Sequence, residues 1–147
     1  MDLLLWRHAE AEDGAPDLER RLTTQGEKQA RRVAAWLAGR LPKDVLILVS
    51  PARRARQTAD TLERAYLLDD SIAPNASPQA VLDAADWPHN KQSVLVVGHQ
   101  PTLGEVAGLL LTAGVYPLSV KKGAVWWLAG KSQGGVALKA MISPDLV

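Results

Sequence analysis

The chain has 147 residues, of which 47% are hydrophobic, with a formal net charge of +1 and no cysteine. That length suits one domain with a sizeable core, taken here as residues 1–147. The composition excludes disulfides and thiolate metal sites, and the near-zero charge leaves no electrostatic footprint for nucleic acid. No apolar stretch approaches the roughly 18 residues needed to span a membrane. The N-terminus lacks the basic start and long apolar core of a signal peptide. The expectation is a soluble, cytoplasmic monomer with no membrane or nucleic-acid partner.

Asp2 to Trp6 reads as a buried strand, and Arg7 to Leu22, with Gly14 and Pro16, as a loop. Thr24-Gln25-Gly26-Glu27 matches a capping box, in which Thr24 caps the helix and Glu27 reaches back. The helix that follows puts Ala30, Val33, Ala34 and Leu37 on one face and ends before Gly39 and Pro42. Val45 to Val49 is continuously apolar, as a strand covered on both faces should be. A second helix is expected from Ala52 to about Tyr66, with Ala55, Ala59, Leu62 and Tyr66 inward.

Asp69 to Ser77 reads as a loop, and Ser77-Pro78 as an N-cap with Pro at the first helical position, opening a short helix with Val81, Leu82 and Ala85. Ser93 to Val97 is the third buried strand. Thr102 opens a helix carrying Val106, Leu109 and Leu110, which ends near Gly114. Ala124 to Ala129 and Val136 to Ile142 read as a C-terminal hairpin joined through Gly130–Gly135. This order implies an α/β fold with a mostly parallel central sheet flanked by helices on both faces.

Chemistry collects at three strand ends. The first strand runs into Arg7-His8, the second into Ser50-Pro51 and Arg53-Arg54, the third into Gly98-His99. In open α/β sheets, ligands bind outside the carboxyl ends of the strands. Two imidazoles and several guanidiniums without a thiol suit the movement of a phosphoryl group. A neutral imidazole attacks phosphorus near pH 7 without first losing a proton. The guanidiniums bind the spread charge of the equatorial oxygens as planar forks.

Four segments, Leu5-Trp6-Arg7-His8-Ala9-Glu10-Ala11, Leu22-Thr23-Thr24-Gln25-Gly26, Ser50-Pro51-Ala52-Arg53-Arg54-Ala55-Arg56-Gln57-Thr58 and Val97-Gly98-His99-Gln100-Pro101, together resemble the histidine phosphatase superfamily. The short length and the Leu-Thr-Thr-x-Gly segment resemble its small branch, the SixA-type phosphohistidine phosphatases. The resemblance implies a phosphoglycerate mutase-like fold, His8 as nucleophile, Arg7 and Arg54 in the phosphate pocket, and His99 as a cationic donor to the phosphoryl oxygens. It also implies an arginine closing over the phosphate, which is Arg20 or its neighbour Arg21. No cofactor or metal is implied, because the arginines supply the charge.

Two departures bear on substrate. Arg-His-Gly of the family is Arg7-His8-Ala9 here, a change expected to be tolerated. Larger members carry an acid that protonates an alkoxide leaving group, and Glu10, Asp83, Asp86 and Glu105 are the candidates, none in a matching position. An alcohol needs such a donor more than the nitrogen of a phosphoramidate does. The expected substrate is therefore phosphohistidine on a partner protein, such as a phosphotransfer domain. A phosphatase for small phosphate monoesters, or a non-catalytic phosphate-binding adaptor, are the alternatives. His89 in its polar loop is expected to be solvated, Ser50 to cap the following helix, and only one ring of Trp126-Trp127 to face the core.

Overall fold

In the computed structural model, which describes residues 1–147, the first strand is the centre of the molecule. In β1 (Asp2–Arg7), Leu3, Leu4, Leu5 and Trp6 have no exposed surface. It pairs in parallel with β4 (Val94–Gly98) and antiparallel with β5 (Val125–Gly130). With β2 (Leu46–Val49), β3 (Leu67–Leu68) and β6 (Val136–Ile142) they form one sheet of order β3-β2-β4-β1-β5-β6. The four strands from β3 to β1 run parallel, and β5–β6 is the antiparallel hairpin. This is the α/β architecture expected from the order of elements.

Alternate residues of each central strand feed two separate cores. Leu3, Leu5, Val94 and Val96 pack with Val81 and Leu82 of α3 (Pro78–Ala84) and Leu103 and Val106 of α4 (Thr102–Leu111). Leu4, Trp6, Leu95 and Val97 pack on the opposite face with Val33 and Leu37 of α1 (Thr24–Ala38) and Ala55 and Ala59 of α2 (Arg53–Asp60). Because β4 and β1 are covered on both faces, they read as unbroken apolar runs.

Local differences from the sequence reading have physical causes. The cap of α1 is Thr23, not Thr24: Thr23 Oγ1 accepts from the Gly26 backbone N–H at 2.9 Å and donates to Glu10 Oε2 at 2.8 Å. Such a cap contributes about 1 kcal/mol. A methyl group on Gly26 would overlap the Glu10 carbonyl, so that glycine lets the helix start abut the loop. The second helix stops at Asp60 rather than Tyr66, and Glu63 adopts a left-handed φ of 54°. Leu62 and Tyr66 still pack on the core from the connecting loop, which satisfies the same apolar spacing without a helix.

The edge strand β3 escaped detection because it is two residues long and both, Leu67 and Leu68, are exposed. A 3-10 turn over Asp70–Ile72 lies within the segment read as loop. Ser77 caps α3 as expected, accepting from Ala80 N–H at 3.1 Å. Trp127 is buried in one core and Trp126 is partly buried against the other, so both rings face apolar surface where only one was expected to. No helix is long and apolar enough to cross a membrane.

Candidate active site

Three neighbouring strands, β2, β4 and β1, end level with one another, since Val49 pairs with Val97 and Arg7 with Gly98. The residues that follow them, Ser50, His99 and His8, are thereby brought side by side. Backbone bonds extend the ladder past the strand ends: His8 N–H donates to Gly98 O at 3.0 Å and Ser50 N–H to Val97 O at 3.1 Å. The two imidazole rings lie 5.1 Å apart between centroids. Arg54 enters from the first turn of α2 and is only 4% exposed. Arg7, His8, Arg20, Arg54 and His99 thus share one open cleft of about 310 Å³.

His8 has a defined orientation. Its Nδ1 lies 2.7 Å from the Ala9 carbonyl, an acceptor only, so Nδ1 carries the proton and Nε2 keeps its lone pair. That lone pair faces Arg54 Nε at 3.4 Å, a long and weak contact. The Ala9 peptide is itself fixed, because its N–H donates to Thr58 Oγ1 at 3.0 Å and the Thr58 hydroxyl donates to Arg54 O at 2.8 Å. The resemblance did not assign a role to Thr58, although it closes the motif Arg54-x-x-x-Thr58. Burial, then the cations of Arg54, Arg7 and Arg20, push the His8 pKa down to about 4, against the carbonyl bond. His8 is therefore a neutral imidazole at pH 7.

His99 is expected to be cationic with a phosphoryl group bound; in the ligand-free site, burial and then His8 and Arg54 lower its pKa to about 3 and hold it neutral. Its Nε2 lies 2.7 Å from Ser50 Oγ, and the same oxygen accepts from the Ala52 N–H at 3.2 Å. The contact is met either by the hydroxyl donating to Nε2 or by Nε2–H donating to Oγ, and Nδ1 is buried without a partner. Ser50 does not cap α2 as expected: the N-cap position is Ala52, which makes no side-chain cap bond, and the Ser50 hydroxyl instead holds the His99 ring.

The arginines divide clearly. Arg7 Nη1 donates to the Val120 carbonyl at 2.9 Å, which holds the guanidinium against the site wall, and its Nε has no partner. Arg20 lines the cleft, whereas Arg21 turns out to Glu12 in an exposed pair at 2.9 Å. Arg53 is exposed, and His89 is exposed as expected.

None of the acids considered from the sequence lines the cleft. Glu10 accepts from Thr23, and Asp83 from Gln79 within α3. Asp86 is exposed and Glu105 half-buried. Two carboxylates that sequence reasoning passed over, Asp13 and Asp17, do line it, both from the loop between β1 and α1. Asp17 is bound by Arg20 Nη1 at 3.1 Å and Arg54 Nη2 at 3.2 Å, and these two, Arg20 first, hold its carboxyl below the usual carboxylate range. The spacing Asp17-x-x-Arg20 on one turn was the available signal. Asn75 and Lys122, which carried no sequence signal, also reach the cleft, as does Gln100 beside His99. Neither Trp126 nor Trp127 lines it. No group of three His, Asp or Glu side chains is placed to hold a metal ion.

Known proteins resemble this chain in sequence and fold. The family model of the histidine phosphatase superfamily (branch 1) matches residues 3–73. A phosphohistidine phosphatase SixA homolog of Haemophilus influenzae is 31% identical over 153 aligned residues, covering 90% of this chain and 92% of the relative. Phosphohistidine phosphatase SixA of Escherichia coli is 32% identical, with 80% of this chain and 79% of the relative covered. A solved structure of the protein histidine phosphatase SixA complexed with tungstate has a TM-score of 0.85 at 27% identity, covering 99% of both chains. The chain belongs to the histidine phosphatase superfamily, as an enzyme of the small SixA type.

Proposed function

We propose that this enzyme hydrolyses phosphohistidine on a partner protein through a covalent phospho-His8 intermediate. The observation that carries the reading is His8 itself: a neutral ring with Nδ1–H pinned to a carbonyl and the Nε2 lone pair presented to a cleft lined by three arginines. The Nε2 pair forms a new N–P bond while the N–P bond of the substrate breaks and its electrons return to the substrate ring. A substrate ring protonated on its other nitrogen leaves as neutral imidazole. Water then attacks phosphorus, the N–P electrons return to Nε2, and the water proton leaves with the phosphate or to solvent.

Arg7 and Arg54 take the charge that spreads over the equatorial oxygens, His99 donates to the same group, and Arg20 binds it from the rim of the cleft. Loss of Arg7 or Arg54 costs about 10²–10³ in rate. The names of the relatives in Haemophilus influenzae and Escherichia coli support the substrate class. An open cleft rimmed by polar side chains also suits a phosphorylated side chain presented by another protein.

One observation favours phosphate monoesters instead, namely the two rim carboxylates. Asp17 is a poor proton donor, since Arg20 and Arg54 hold it ionised. Asp13 would have to supply the proton an alkoxide needs. The test is phosphate release from a phosphohistidine-bearing protein and from p-nitrophenyl phosphate, for wild type and His8→Ala. Faster turnover of the phosphoprotein, lost in the variant, is expected. Equal or faster turnover of the ester, lost in Asp13→Asn, would replace this reading with the monoester one.

A further inference from the structure

Arg54 is the most buried cation of the cleft, and in the ligand-free protein its fork is already occupied. Nη1 donates to the Asp17 carbonyl at 2.8 Å, Nη2 to Asp17 Oδ2 at 3.2 Å, and Nε faces His8. Arg20 spends Nη1 on the other oxygen of the same carboxylate and Nε on the Glu12 carbonyl at 2.7 Å. One carboxylate therefore bridges two arginines at the mouth of the site, where a phosphoryl group would need those donors. We propose that Asp17 is a resident anion that guards the phosphate site, so that an incoming ligand must displace its carboxylate from Arg54 and Arg20 before it can bind.

The segment carrying Asp17 is built for such displacement. The 3-10 turn Asp17–Glu19 buries no residue, and the Asp17 side chain is 54% exposed against 5% for Arg54. Moving it uncovers no core, which places it at the low-stability end of the fold. The arginine, by contrast, stays anchored in α2. Charge then decides what enters. The two guanidiniums with Asp17 present a net single positive charge, and without it a double one. A doubly charged phosphoryl group outcompetes one carboxylate, while a singly charged carboxylate ligand has no advantage over it. Asp17 would thus set selectivity for dianions and keep the arginines clear of ordinary cellular carboxylates. It acts through the arginines and is a specificity residue, not a catalytic one.

The guard rests on the reading of this cleft as a phosphoryl site, but its test reads anion binding and does not depend on which phosphorylated substrate is cleaved. Binding of inorganic phosphate and of formate is measured by calorimetry for wild type, Asp17→Asn and Asp17→Ala, with melting curves to establish that the variants fold. Asp17→Asn keeps the size of the side chain while removing its charge. We expect phosphate to bind roughly fivefold tighter in both variants, as loss of a half-exposed competing carboxylate requires. Formate should bind the variants and not the wild type. If Asp17 merely positions Arg54 and Arg20, phosphate would bind more weakly or unchanged in both variants, and that result would overturn the proposal.

Discussion

Thr58 tests how the nucleophile is held. It is fully buried on α2, accepts from the Ala9 N–H at 3.0 Å and donates to the Arg54 carbonyl at 2.8 Å. Ala9 is also fully buried, and its carbonyl takes the His8 Nδ1–H. Thr58→Val keeps the branched shape but removes the hydroxyl, which leaves the Ala9 N–H in the interior without an acceptor. An unsatisfied buried donor costs about 1–3 kcal/mol. For a chain of this size a loss of about 2 kcal/mol lowers Tm by roughly 4–8 °C. The freed peptide also loosens the carbonyl that orients His8, and misplacement of a reacting group is costly in rate, so kcat should fall by about tenfold. Thr58→Ser, which keeps the hydroxyl, should restore most of kcat. The assay pairs thermal melts with phosphate release for the three proteins. A Thr58→Val protein with wild-type Tm and kcat would refute the idea that this hydroxyl supports the site.

Three further outcomes are expected. The pKa values of His8 and His99 in the folded chain, about 4 and about 3, lie below the ordinary 6.5, so on acidification the unfolded chain takes up these protons first. The stability that both neutral rings supply is full above about pH 6.5 and is lost as pH falls from there toward their folded values, with His8 alone accounting for about 3 kcal/mol. Imidazole NMR titration checks this, and a His8 midpoint near 6.5 would contradict it. Arg20→Ala should raise KM for the phosphoprotein by about tenfold, while Arg21→Ala, which loses only an exposed pair with Glu12, should leave KM within twofold; equal effects would remove Arg20 from the site. Ser50→Ala should lower kcat about tenfold with little change in KM, because His99 loses the hydroxyl that orients its ring; an unchanged kcat would show that contact to be irrelevant.

The parts of this molecule written in continuous apolar runs were the most legible in its sequence. β1 and β4 are buried on both faces, so Leu3-Leu4-Leu5-Trp6 and Val94-Leu95-Val96-Val97 carry their strand character without reference to anything else. Because those strands are parallel and level, the residues just beyond them meet, and His8, His99 and Arg54 could be placed together from order alone. The edge strand Leu67–Leu68 could not, since two exposed leucines leave no periodic trace. The start of α1 was displaced by one residue because Thr23 and Thr24 offer the same hydroxyl, and only the contact of Thr23 with Glu10 chooses between them.

The low pKa of His99 in the ligand-free site left no sequence signal for a related reason: it comes from burial and from His8, a residue 91 positions away in the chain whose proximity no local pattern encodes. Asp17 was hidden in a polar loop, where an acid next to arginines reads as solvated charge. Only the fold of that loop over Arg54 turns it into part of the site.

The central claim is that His8 becomes phosphorylated during turnover. The most direct measurement is rapid quenching of the enzyme with a phosphohistidine-bearing protein under alkaline conditions that preserve phosphoramidates, followed by mass spectrometry of the N-terminal peptide. The account predicts a gain of one phosphoryl group on His8 in wild type, which decays as phosphate is released at the rate of turnover. Turnover with no phosphoryl group on His8, or unimpaired turnover in His8→Ala, would contradict it.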